Sequence, residues 1–358
     1  MTKEQINNSV DRASSLLREM VSIQSFSSEE REVSDLIALR IEREGLIVNR
    51  AGNYLWSLAG DFNPELPTLM LNSHMDTVRP SSSYTFDPFN PPHDSNIVYG
   101  LGSNDAGASV VSMIETFFYF SKNGSPFNIL LAISCEEENS GPGGMRMLYS
   151  VLPQPDCAII GEPTKMEAAI AERGLLVIDA TANGVSGHAA REEGVNSILI
   201  AHRDIEKIIT HKFPRVSPLM GSVKTSVTRI EAGREHNVIP EKCCFTLDIR
   251  PNELYTNEEI FETYKELLES TLVARSFSNK CSKTPDGHEL ISCAKRCGIN
   301  QYVSPTTSDW MRIPIPAIKM GPGDSCRSHR ADEFVTLAEI KAGIEGYVKF
   351  INNLNLKR

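Results

Sequence analysis

No stretch of the sequence approaches the ~18–20 consecutive apolar residues of a membrane-spanning helix, although 41% of its 358 residues are hydrophobic. A basic surplus is also missing: 36 Lys and Arg stand against 46 Asp and Glu, a formal charge of −10. Nucleic acid and anionic membranes both demand a basic face, so neither is an expected partner. The eight cysteines, at 135, 157, 243, 244, 281, 293, 297 and 326, form no CxxC pair, which removes the zinc ribbon. A chain this long buries a core without disulfide staples, so reduced thiols are expected. Residues 1–6 carry no apolar segment of secretory type, and a cytoplasmic protein is the expectation. Repeats and low-complexity tracts are absent, and 23% charged residues is ordinary for a globular protein. With domains of ~100–200 residues, the length suggests two.

Two helices open the chain. Leu16, Leu17, Met20 and Val21 fall at helical spacing over 8–22. The second helix is expected to start at Ser27-Ser28-Glu29-Glu30, a Ser-x-x-Glu capping box. It presents Val33, Leu36, Ile37 and Ile41 on its apolar face and stops near Gly45. Short apolar runs then recur at 67–71, 127–133, 157–160 and 315–320, each ending abruptly in polar sequence. Such runs read as strands buried on both faces, and with a helix over 106–120 between them the pattern is α/β. Open α/β sheets bind ligands at the carboxyl ends of their strands, and all four runs deliver His, Asp or Glu there. The stretch 171–280 differs. Its order, strand 175–181, helix 195–209, strands 222–231 and 243–250, helix 258–269 and strand 271–274, is close to the ferredoxin-like βαββαβ plan. It reads as a domain inserted between 1–170 and 281–358.

The chemistry-bearing residues sit at those ends. His74 and Asp76, two apart on a strand, face one side and can touch, and a metal-bound imidazole commonly donates its other N–H to a carboxylate. Asp105 follows the Gly100 and Gly102 loop and precedes a helix; a plain N-cap is the alternative, while a dinucleotide loop lacks the full glycine pattern. Glu136, Glu137 and Glu138 crowd like charges at the mouth of a buried strand, which repel unless a metal or shared protons compensate. Adjacent carboxylates suit a division of labour, one ligating and its neighbour moving a proton. Glu162, fixed by Pro163, and the late His329 complete two imidazoles and at least three carboxylates. Singly each has a structural alternative; together they suit zinc and related divalent ions.

His74-Met75-Asp76, Gly102-Ser103-Asn104-Asp105, Glu136-Glu137-Glu138, Gly161-Glu162-Pro163-Thr164 and His329 resemble, in order, the di-zinc aminoacylase, carboxypeptidase and deacylase family. The similarity is greatest to its acetylornithine deacetylase branch, with succinyl-diaminopimelate desuccinylases as further members. The resemblance implies a zinc-exopeptidase-like α/β catalytic domain with a mostly parallel sheet, plus an inserted ferredoxin-like α+β dimerisation or lid domain. It implies two Zn²⁺, with Co²⁺ able to substitute. His74 and Glu162 would hold one ion, Glu138 and His329 the other, with Asp105 bridging. Asp76 would orient His74, and Glu137 would be the general base. A slip of one residue would make Glu136 the base and Glu137 the ligand.

In the inserted domain, His188 of Ser186-Gly187-His188-Ala189 matches the family's oxyanion-stabilising histidine, supplied in dimers by the neighbouring subunit; a surface-loop histidine is the alternative. Asn237 and Arg250 match contacts to the substrate carboxylate, for which a guanidinium fork is suited. Arg191 is a further candidate contact. The turn of Gly321 and Gly323 would offer backbone N–H groups. The implied activity is metal-dependent hydrolysis of an N-acyl amino acid, first of all N-acetylornithine in arginine biosynthesis. N-succinyl substrates, citrulline or diaminopimelate derivatives, and dipeptides stand as alternatives; an acidic acyl group would need one added cation, such as Arg191 or Arg327. The implied partners are that small molecule and a second copy of the chain, and the rival of another class is a non-catalytic binding module.

Overall fold

The computed structural model describes residues 1–191 and 193–357, in two compact units. One unit comprises Met1–Ile170, Thr284–Tyr302 and the chain from Ser308 on; the other comprises Ala171–Lys283 with Val303–Thr307.

The first unit is built on a sheet in the order Asn49–Ala51, Tyr54–Leu58, Asn128–Ser134, Thr68–His74, Cys157–Ile160, Ala317–Lys319 and the start of Ala168–Glu172. The four central strands are parallel, and those flanking them are antiparallel. The sheet is thus mixed, with a parallel centre and antiparallel flanks. Alternate residues feed two cores. Leu69, Leu71, Ile129, Leu131, Ile159 and Ile318 pack with the helices Lys3–Val21, Ala108–Asn123 and Leu337–Asn352. Met70, Leu130, Ala132, Ala158 and Ile160 meet Leu148 and Trp310 on the opposite face. Double-sided burial is why these strands read as unbroken apolar runs.

Register then decides where the chemistry emerges. His74 pairs with Ser134, Asn72 with Ile160 and Ile160 with Lys319. The four strands end nearly level, so the residues that follow them leave the sheet at one edge.

Two local expectations fail. The helix Arg31–Glu42 has Glu30 at its N-cap and no side-chain cap. Ser27 instead donates its hydroxyl to Asp76 Oδ2 at 2.7 Å, and Glu30 accepts N–H groups from Ser28 and Glu136. The helix after Asp105 begins at Ala108, because Ser103–Gly107 is an irregular turn in which Asp105 is extended (φ −116, ψ 99).

The second unit has four antiparallel strands in the spatial order Lys224–Ala232, Lys242–Arg250, Leu176–Asn183, Thr271–Ala274. With the helices Ser197–Thr210 and Asn257–Leu267, this is a ferredoxin-like arrangement. Ile178, Ala180, Phe245, Leu247, Ile260 and Tyr264 belong to its own core. Gly187–His188 and Val238–Ile239 form a short separate ribbon. All eight cysteines are free thiols, five of them buried. Among the described residues no helix is long and apolar enough to cross a membrane.

Buried Glu115, on Ala108–Asn123, ties the first helices to the one that leads away from Asp105. Arg12 Nε donates to its Oε1 at 3.1 Å, and Arg40 Nη2 reaches the same oxygen at 3.3 Å. Removing it leaves half-exposed Arg12 without its carboxylate, while Arg40 keeps Glu44, so Glu115→Ala is expected to destabilise this unit by about 1–2 kcal/mol. Urea unfolding checks it; an unchanged midpoint contradicts the role.

Candidate metal centre

Asp105 stands between two imidazoles. His74 Nε2 lies 3.3 Å from Asp105 Oδ1 and 3.8 Å from Glu162 Oε1. His329 Nε2 lies 3.8 Å from Asp105 Oδ2 and 2.9 Å from Glu138 Oε2. Each oxygen of one carboxylate thus faces a histidine that has a second carboxylate beside it. His74 ends a central strand and its side chain is only 2% exposed, whereas His329 sits on a loop at 56%. Ligand atoms of His74, Asp105 and Glu138 lie within 4.8 Å of one another. Imidazole nitrogens and carboxylate oxygens at that spacing fit zinc and related divalent cations.

A second tier of carboxylates holds the first. Asp76 faces His74 Nδ1 through its backbone carbonyl at 3.1 Å and its Oδ1 at 3.4 Å. A proton on Nδ1 leaves Nε2 free to ligate. Asp76 also accepts the N–H of Glu137 and of Glu138, both at 3.1 Å, so it shapes the glutamate run as well as the histidine. Glu136 turns away: its Oε2 accepts the N–H of Gly143 at 3.0 Å. Glu138, not Glu137, therefore meets His329, and Glu136 is remote from the imidazoles in hydrogen-bonding terms.

Two residues escaped the sequence reading. Buried Asp309 accepts the hydroxyl of Ser134, the last residue of its strand. Glu333 accepts three backbone N–H groups from the turn that carries Asp105, those of Gly102, Asn104 and Asp105. The only signal available for Glu333 was an acid four residues after His329.

Charge and burial pull against each other throughout. Burial pushes Glu137 well above the ordinary carboxylate range, and Glu162, Asp309 and Glu138 reinforce it against the opposing His74. Burial, then the charge of Asp105, raise Glu162 to about 8. Asp105 goes the other way: burial opposes ionisation, but hydrogen bonding and charge from His74 outweigh it and hold Asp105 low. His329 is raised to about 9, chiefly by its hydrogen bond to Glu138.

Other expected contacts turn out differently. Gly321 does not offer its N–H outward, because that group donates to Thr164 Oγ1 at 3.0 Å. A Cβ there would fall 2.3 Å from Ser109 Oγ, and at Gly323 (φ +87) 2.4 Å from Asn104 Oδ1. Both glycines are buried and serve close packing around Glu162 and Asn104. Arg327 is committed to Glu339 and to the Phe334 carbonyl. In the second unit, His188 is exposed, and its Nδ1 accepts the N–H of Ala190 at 3.1 Å. Asn237 immediately precedes the ribbon, its carbonyl accepting from Ala189, and Arg191 is exposed nearby in sequence. The Arg250 fork is held by Asp248 at 2.7 and 2.9 Å, so a substrate carboxylate would have to exchange with that partner.

Below about pH 9 the metal-free centre carries a proton on His329 that a cation must displace. Affinity for a divalent cation is therefore expected to rise about tenfold per pH unit between about pH 6 and 8 for each proton released. Calorimetry in buffers of different ionisation enthalpy checks this; pH-independent affinity contradicts it.

Peptidase family M20/M25/M40 matches residues 70–353. The acetylornithine deacetylase of Buchnera aphidicola subsp. Acyrthosiphon pisum (strain Tuc7) is 27% identical over 294 residues, 75% of either chain. Succinyl-diaminopimelate desuccinylase 2 of Ruegeria sp. (strain TM1040) is 26% identical over 362 residues, 91% of either chain. Among solved structures, a tripeptidase from Staphylococcus aureus shares the fold with a TM-score of 0.77 at 21% identity, over 96% of this chain and 97% of its own. The dipeptidase Dug1p of Saccharomyces cerevisiae does so at 0.74 and 14%, over 98% and 97%. With most of its length matched, the chain belongs to peptidase family M20/M25/M40 and is a metal-dependent amidohydrolase.

Proposed function

We propose that the chain hydrolyses the amide of an N-acyl amino acid, N-acetylornithine first, at a centre of two Zn²⁺ for which Co²⁺ can substitute. The observation that carries this is Asp105, whose two oxygens each face an imidazole with a further carboxylate beside it. His74 and Glu162 would hold one ion and His329 and Glu138 the other, with Asp105 shared. Relatives named acetylornithine deacetylase and succinyl-diaminopimelate desuccinylase support the acyl amino acid class.

Two bound divalent cations would supply Lewis acidity to the amide carbonyl and acidify a water. The rest falls to the chain. Asp76 fixes the His74 ring and, through two N–H groups, the direction of the glutamate run. Glu137, made basic by burial and neighbouring carboxylates, accepts the proton of the attacking water and returns it to the departing amine. We assign His188 to the oxyanion, and Asn237, Arg250 and Arg191 to the substrate carboxylate. The second unit is proposed as the lid and dimerisation domain of a homodimer; its edge strand Lys224–Ala232, with Ile230 exposed, offers unpaired backbone to a second copy. Eight free thiols suit a cytoplasmic location.

Glu137→Gln is expected to lower kcat by about 10²–10⁴-fold or more while metal content is unchanged. Wild-type turnover in that variant sinks the assignment. A panel of N-acetyl and N-succinyl ornithine, citrulline and diaminopimelate tests the substrate class; cleavage of dipeptides alone would overturn it in favour of a peptidase.

A further inference from the structure

We propose that Glu333 is a positioning residue that fixes the Asp105 carboxylate and thereby sets the affinity of the centre for metal. This rests on the reading of Asp105 as the shared ligand. Glu333 is 3% exposed. Its Oε1 accepts the N–H of Asn104 at 2.8 Å and of Asp105 at 2.9 Å, and its Oε2 accepts that of Gly102 at 3.1 Å. Its own backbone carbonyl accepts the N–H of Gly100 at 2.9 Å. The turn from Gly100 to Asp105 is thus wrapped around one carboxylate group.

That turn is not helical at Asp105, so helix geometry alone does not decide where the Asp105 side chain points. The Glu333 contacts do. They come from a segment that also delivers His329, four residues earlier, and Asn104 ties the same turn to Asp324 through both its amide oxygen and its amide nitrogen. One stretch of chain therefore carries a ligand of the second site and the clamp on the ligand both sites share.

The choice of an acid is informative. A carboxylate behind Asp105 repels it, a cost that a purely structural anchor would avoid. Toward a cation the same charge is favourable, since it strengthens the field at the shared ligand. Outer partners of this kind orient ligands and raise their basicity.

The test is zinc titration of the metal-free full-length chain against a chromogenic chelator, with the visible spectrum of the Co²⁺ form as a second readout. Glu333→Gln keeps the shape but loses the charge and one acceptor; it is expected to weaken zinc binding by about 10–100-fold and to alter the Co²⁺ spectrum. Glu333→Asp, one methylene short of spanning three N–H groups, should fall between, and decides the matter if the amide variant does not fold. Glu339→Gln is the structural control. It loses the charge paired with Arg327 and weakens the acceptor that Thr336 N–H and Oγ1 use at the start of the last helix, so it should lower thermal stability while affinity and spectrum stay put. Unchanged affinity and spectrum in the Glu333 variants overturn the proposal. So does an equal loss in Glu339→Gln, which would mark a general structural effect. Failure confined to Glu333 leaves the two-ion reading standing, whereas a wild-type chain that takes up no zinc overturns both.

Discussion

The mutual repulsion of buried carboxylates is the constraint around which this fold is arranged. Asp76, Asp105, Glu137, Glu138, Glu162, Asp309 and Glu333 meet at one edge of one sheet, and water is largely excluded from them. Such a cluster is tolerable only if each charge is neutralised, hydrogen-bonded or matched by a cation. The outer acids are satisfied by backbone: Asp76 by the N–H groups of the glutamate run, Glu30 by Ser28 and Glu136, Glu333 by the turn before Asp105. The inner acids have His74 and His329 against them, with Lys319 acting on Glu162 and the Ser328 hydroxyl on Asp105. Crowded carboxylates with imidazoles beside them are a donor set that suits divalent cations.

Rigidity comes from beneath. The four parallel strands are buried on both faces and end nearly level, so His74 is placed by register, while the glutamate run and Glu162 follow directly on strand ends, the run held there by Asp76. His329 is the exception. It arrives on an exposed turn, with a positive φ of 59°, and depends on neighbouring contacts for its position. One half of the centre is thus built into the sheet and the other half is assembled from a loop.

Much of this was legible in the sequence, for a physical reason. Strands buried on both faces leave continuous apolar runs, and acids at the ends of such runs stand out against them. The ferredoxin-like unit was legible from the order of its elements, because two helices on one face of four strands leave few alternatives. What failed was local pattern standing in for distant contact. Ser27 and Glu30 have the spacing of a capping box, yet their partners are Asp76 and the backbone of Glu136. Gly321 looked like an outward donor, yet its N–H is consumed by Thr164. The register of three identical glutamates carried no internal mark; in the fold Glu136 accepts from Gly143 while Glu138 meets His329. Asp309 and Glu333 were invisible because each acts on residues more than 170 positions away.

We propose that Asp105 is shared between two cations. Anomalous diffraction at the zinc edge from zinc-loaded crystals tests it most directly. Two peaks are predicted, one among His74, Asp105 and Glu162 and the other among His329, Asp105 and Glu138. A single peak, or peaks that leave Asp105 without a metal contact, would contradict it.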